Sequence, residues 1–165
     1  MKIKAFIISA SIVAMLAFGS HGFAAGSASK PASDKRPGVT DYNDAVKLMK
    51  QGKYDGAERK FAAALKKNPK MAEAHNNLGY SLRKQGAKNY KEALSHYDRA
   101  IELKPDLAEA YMYRGVLYML MGQEAKALED HRQLTRLDRN LADALQAAIA
   151  SGEEPDGLDG LVKSW

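Results

Sequence analysis

Residues 74–105 read AHNNLGYSLRKQGAKNYKEALSHYDRAIELKP, and this stretch decides the fold. Its apolar and small residues recur at helical intervals, Leu78 with Leu82 in one run and Ala93, Tyr97 and Ala100 in the next. Gly86 ends the first run and Pro105 stops the second, because proline lacks the amide that a helix interior needs. Two helices joined by a turn are the result.

The same unit appears on both sides. Ala45, Gly79 and Gly115 form one line of small residues, where two helices would touch. Gly52, Gly86 and Gly122 form a second line at helix ends, and Ala57, Ala93 and Ala127 a third that opens the following helix. The spacings are 34 then 36 in the first two lines and 36 then 34 in the third. One two-residue insertion between Gly86 and Ala93, in the turn holding Lys88 and Asn89, accounts for all three. A 34-residue period with one loop insertion is the signature of a repeat architecture.

These residues resemble the tetratricopeptide repeat. The middle unit carries its pattern best, with Asn77-Leu78-Gly79, Tyr90, Ala93-Leu94, Tyr97, Ala100 and Pro105. The first supplies Ala45, Leu48, Tyr54, Ala57, Phe61, Ala64 and Pro69; the third supplies Tyr111, Gly115, Tyr118, Ala127-Leu128 and Leu134. The ends depart from it. Asp41 and Asp44 stand where the first helix should be apolar, so that helix is expected to fray or start late. Glu124, His131 and Arg139 replace the expected aromatic, aromatic and proline of the third unit, as terminal repeats often do.

The fold expected is an all-α solenoid of three helix–turn–helix repeats, at 38–71, 72–107 and 108–141, with a capping helix at 142–151. Asp106 with Glu109 reads as a capping-box-like start, and Asn140 with Asp143 as another. The capping helix would use Leu141, Leu145, Ala148 and Ile149 to cover the end of the third repeat. An acidic tail follows at 152–165, with Leu158, Leu161, Val162 and Trp165 at helical spacing. That tail has three readings: a free end, a flap over the last helix, or an occupant of the groove drawn by Lys50, Arg83 and Lys84.

Ahead of the repeats, Met1, Lys2 and Lys4 precede an apolar run from Ala5 to Phe18 and the small residues Ala24-Ala25-Gly26. This is the pattern of a secretory signal peptide cut after Ala24, with Ala28 the next choice. The apolar run is short of the ~20 residues that span a membrane, which disfavours an uncleaved anchor. A flexible linker would occupy 25–37. The chain has no cysteine, so it holds no disulfide framework, thiolate metal site or acylated cysteine. The expected location is periplasmic or secreted. Without Lys2 and Lys4 there are 23 basic and 20 acidic residues, interspersed, which argues against nucleic acid.

No nucleophile, acid–base pair, metal set or phosphate loop converges in the sequence. His75 opens a helix, His96 sits beside Tyr97 on an outer surface, and His131 takes an aromatic's place in the core; no two share metal-ligand spacing on one face. No enzyme, cofactor or metal is expected.

Binding is the positive expectation. The resemblance implies that the first helix of each repeat lines a concave groove. Its positions fall on Tyr42, Val46 and Met49; on Asn76, Asn77, Tyr80, Arg83 and Lys84; and on Met112, Tyr113, Val116 and Met119. Tyrosine offers contact area at little entropy cost, methionine adapts, and amides can pair with a ligand backbone. The protein-binding set is therefore Tyr42, Met49, Asn76, Asn77, Tyr80, Arg83, Lys84, Met112, Tyr113 and Met119, with Val46, Val116 and Asn77 equally open to a packing role. Some relatives clamp the acidic tail of cytosolic chaperones; of that set only Asn77 is matched, the other places holding Tyr42, Val46, Glu109 and Tyr113. The function expected is a monomeric adaptor that binds a segment of another envelope protein, without nucleic acid and without stable membrane insertion. The alternative is a self-associating envelope module with an idle groove.

Overall fold

The computed structural model describes residues 36–155 together with Gly157 and Trp165. The signal-peptide reading of 1–24, most of the linker reading of 25–37, and Leu158, Leu161 and Val162 of the tail lie outside the described residues.

Seven α-helices make up the described chain: α1 Val39–Lys50, α2 Tyr54–Lys67, α3 Ala72–Lys84, α4 Tyr90–Leu103, α5 Ala108–Leu120, α6 Glu124–Leu137 and α7 Arg139–Ser151. The pairs α1/α2, α3/α4 and α5/α6 stack in chain order, and α7 closes the array against α5 and α6. The fold is thus an all-α solenoid of three repeats with a capping helix. A single 3₁₀ turn, Ala87–Asn89, sits where the spacing placed the two extra residues.

The three sequence lines are the contacts that set this geometry. In the second helix of each of the first two repeats one narrow stripe is buried, Ala57, Phe61 and Ala64 in α2 and Ala93, Tyr97 and Ala100 in α4. The small members let the partner helix approach, and the aromatic fills the space between. Gly52 and Gly122 leave α1 and α5 at φ of 72° and 70°, a left-handed conformation that costs glycine nothing. The odd-numbered helices also touch one another in order, α1 with α3, α3 with α5 and α5 with α7, forming a continuous inner layer. Sandwiched in it, α3 is buried on nearly all sides, Asn76, Asn77 and Arg83 included.

Three expectations about helix ends need correction. The first helix neither frays nor starts late: Asp41 meets Lys67 at 2.5 Å and Lys60 at 3.5 Å, and Asp44 meets Lys60 at 3.8 Å. The two carboxylates face the basic edge of α2 instead of the core. At α5 the N-cap is Leu107, with no side-chain cap, not Asp106. Leu107 is 7 % exposed and packs with Ala72, Ala100 and Ala110, so burying an apolar side chain between repeats takes precedence over capping. At α7 the cap is Asp138, whose carboxylate accepts from the Leu141 amide at 3.1 Å; neither Asn140 nor Asp143 fills that role.

Candidate binding groove

The inner layer of α1, α3 and α5 holds the residues expected to bind, and they divide into two groups. Met49, Met112 and Tyr113 are wholly inside the hydrophobic core, as is Val46 nearly so. They pack helix against helix, and Met119 is only partly buried against them. Tyr80 is also enclosed, its ring tilted against Tyr113 at 4.9 Å and edge-on to Tyr54 at 6.1 Å between centroids. Truncating it would therefore disturb folding. The amides of α3 form a short chain: Asn76 donates to Asn77 at 3.1 Å, and Asn77 donates to the Tyr42 hydroxyl at 3.0 Å. These amides thus brace α3 against α1.

The second group faces the chain that follows α7. The side chain of Arg83 is only 1 % exposed, and its guanidinium meets Glu154 through both terminal nitrogens, Nη1 to Oε2 at 2.8 Å and Nη2 to Oε1 at 3.0 Å. Lys84 adds a third contact to Oε1 at 3.3 Å. The Tyr80 ring lies 4.9 Å from the guanidinium carbon, giving this cation an aromatic backing. Burial works against the charge of Glu154, but the hydrogen bond and charge of Arg83, then those of Lys84, outweigh it and hold the carboxyl below its usual range.

At the far end of the groove, Asn43 clasps the backbone of Trp165. Its Nδ2 donates to the Trp165 carbonyl at 2.7 Å, and the Trp165 amide donates to its Oδ1 at 2.8 Å. The indole sits 5.4 Å from the Tyr42 ring and 4.4 Å from the Arg36 guanidinium. Glu154 and Trp165 thus both lie against this inner layer, one on α3 and the other on α1. Asn43 and Arg36 escaped the sequence reading. Asn43 had a signal, since it lies 34 residues before Asn77, the same place in the repeat. Arg36 lies ahead of the repeat and had none.

The structure also joins two histidines that the sequence kept apart. His75 of α3 and His96 of α4 approach to 3.0 Å between their Nδ1 atoms, and His75 Nε2 lies 3.2 Å from the Pro69 carbonyl. That carbonyl needs a donor, so His75 carries its proton on Nε2 and accepts from His96 through Nδ1. Burial, then the neighbouring His75, drops the His96 pKa to about 4. Among the described residues no group of three or more His, Cys, Asp or Glu side chains could hold a metal ion.

Comparison with known proteins agrees with this architecture. Residues 42–89 match the tetratricopeptide-repeat family model, and residues 87–122 match a second model described as a TPR repeat. Hsp70-Hsp90 organizing protein 1 of Glycine max is 34 % identical over 93 residues, which are 56 % of this chain and 16 % of that protein. Protein O-mannosyl-transferase TMTC3 of Homo sapiens is 34 % identical over 108 residues, 65 % of this chain and 12 % of that protein. The chain thus spans a small part of the curated relatives it matches. Among solved structures, the first TPR of Spaghetti (RPAP3) bound to HSP90 peptide SRMEEVD superposes with a TM-score of 0.65 at 22 % identity, covering 72 % of this chain and 94 % of that one. The second TPR of the same protein, with the same peptide, gives 0.59 at 20 % identity, covering 62 % and 94 %.

Proposed function

We propose that this chain, which carries tetratricopeptide repeats over residues 42–122, is a non-catalytic adaptor whose concave groove binds a segment of another protein. The observation that carries the reading is Arg83. A guanidinium buried at the groove floor is costly unless a carboxylate meets it, and the direction it faces is that of the bound segment. Asn43 supplies the second element, a side-chain amide that pairs with the backbone of whatever lies across α1. The two solved neighbours are described as bound to a peptide with consecutive glutamates, which supports a groove for acidic segments. Only Asn77 matches the set that clamps cytosolic chaperone tails, so the segment recognised here is a different one.

The working location is the bacterial envelope, with residues 1–24 serving as a cleaved export signal and the partner another envelope protein. No helix among the described residues is long and apolar enough to cross a membrane. The test is a differential capture from envelope extract, with the wild-type chain beside an Asn43→Ala, Lys84→Glu double variant. Neither residue is in the core, so melting should stay nearly constant. Capture of the specific partner should fall about tenfold or more, the usual size of a hot-spot loss. Equal capture by both proteins would remove the groove as the site, and mass that rises with concentration would favour self-association.

A further inference from the structure

We propose that the groove recognises a polypeptide segment with a carboxylate and, about ten residues further on, an aromatic side chain, and that Glu154 and Trp165 of this same chain are its resident anchors. The proposal rests on the adaptor reading above and names the chemistry of the ligand and the contact that regulates it.

Three observations carry it. The two anchors are of different kinds and sit on different helices: a carboxylate on the buried Arg83 and Lys84 of α3, and an indole between Tyr42 of α1 and Arg36. Trp165 lies eleven positions beyond Glu154, enough to reach about 36–40 Å at full extension, so one segment can serve both. The backbone contact at Asn43 is indifferent to side chain, as suits a receptor for segments of varied sequence.

The occupant is also replaceable. Arg83 is sealed, but the Glu154 side chain is 27 % exposed and Trp165 is 41 % exposed. A tethered segment acts at an effective concentration of millimolar order, so individually weak anchors suffice to keep it seated. A second protein offering the same chemistry must displace it, which sets a threshold on partner affinity. The tail also gives the buried guanidinium its carboxylate when no partner is bound, meeting a charge that would otherwise destabilise α3.

The experiment uses the full chain and a fluorescent peptide copying residues 152–165, followed by anisotropy. A Glu154→Gln, Trp165→Ala variant releases the resident segment without touching the repeats. It should take up the peptide at least about tenfold more tightly than the wild type. Adding Asn43→Ala and Lys84→Glu should abolish that gain, while circular dichroism shows the same helix content in all three proteins. Equal affinity of wild type and released variant overturns the proposal. So does uptake that ignores the groove substitutions, or a wild-type dimer that reverts to monomer in the released variant, since the segment would then seat in a second copy. If the peptide result fails while envelope capture still depends on Asn43 and Lys84, the adaptor reading stands and only self-occupancy falls. If peptide exchange succeeds but no envelope partner depends on the groove, the reverse holds.

Discussion

The second and third repeats solve the same packing problem with different chemistry. In the second, Gly79 of α3 faces the Ala93 carbonyl and the Tyr97 ring of α4, and a Cβ there would come within 2.9 Å of each. An aromatic seals the helix pair. In the third, Gly115 of α5 faces Leu145 of α7 and the Asp130 side chain of α6. The buried stripe of α6 is Ala127, Asp130 and Leu134, one step out of register at its middle member. His131 was expected to stand in for the missing aromatic, yet it is only half-buried and Asp130 takes the inward place. Asp130 wins because it has a partner: Arg114 of α5 donates to it through Nε at 3.1 Å and Nη2 at 2.6 Å, and reaches Asp98 of α4 at 2.7 Å. The volume an aromatic would fill is taken by Leu145. An end repeat that meets solvent can thus replace its aromatic seal by an ion pair, provided a capping helix supplies the missing bulk.

The sharpest way to break this comparison is to cut the ion pair. Asp130→Ala leaves the Arg114 guanidinium without its bidentate partner and should cost about 3–5 kcal/mol by urea unfolding. Arg114→Leu combined with Asp130→Leu should recover most of that loss, because two apolar groups remove the desolvation penalty together. If the single change costs under about 1 kcal/mol, the pair is ornamental and Leu145 alone closes the repeat.

A smaller effect separates the two glycines. Gly79→Ala pushes a methyl at backbone and at an enclosed ring, neither of which can retreat, and should destabilise by about 1–3 kcal/mol. Gly115→Ala meets chiefly the tip of Leu145, 2.5 Å from Cδ2, a flexible end that can rotate away. That cost should be largely cancelled by the roughly 1 kcal/mol gain in helix propensity. Equal losses at both positions would mean that α7 is as unyielding as α4, and the contrast between repeats would vanish.

The contrast also shows what a sequence can disclose. The lines Ala45–Gly79–Gly115 and Ala57–Ala93–Ala127 were legible because close helix contact leaves few alternatives to small residues, so period and insertion could be read directly. The capping helix was legible from the stripe through Leu145 and Ala148. Helix starts were not, since Leu107 serves burial rather than capping, a choice made by the neighbouring repeat. The slip from His131 to Asp130 was hidden for the same reason: it depends on Arg114, which only the fold brings near. Residue type singled out Arg83 and Lys84, which meet Glu154, but could not tell that Met49, Met112 and Tyr113 all face inward. Asn43 shares its register with Asn77, yet its partner lies 122 residues away.

The smallest expected effect comes from a titration that the third repeat lacks. Counting by the repeat register, His96 of α4 corresponds to Asp130 of α6, and His75 of α3 to Tyr111 of α5. At the α4/α6 position one repeat therefore places an imidazole that meets His75, and the other a carboxylate that meets Arg114. The His96 pKa is lowered from 6.5 to about 4 by burial and then by His75, and burial lowers that of His75 as well. The unfolded chain consequently takes up these protons first as the pH falls. The sign follows from linkage: the contribution is fully present above the unfolded value near 6.5 and is lost as the pH drops toward about 4. With both rings part-exposed, the loss should amount to only about 1 kcal/mol. Asp130 runs the opposite way, because burial raises its pKa against the pull of Arg114, so its protonation in acid does not add to this slope. Asp41, held low by Lys67, and Glu154, held low by Arg83, lose their contributions at lower pH still. Urea unfolding between pH 7 and 5 isolates the histidines, and His96→Gln, which can still donate to His75, should flatten most of the decline. A variant as acid-sensitive as the wild type would show that the imidazole contact does not distinguish the second repeat from the third.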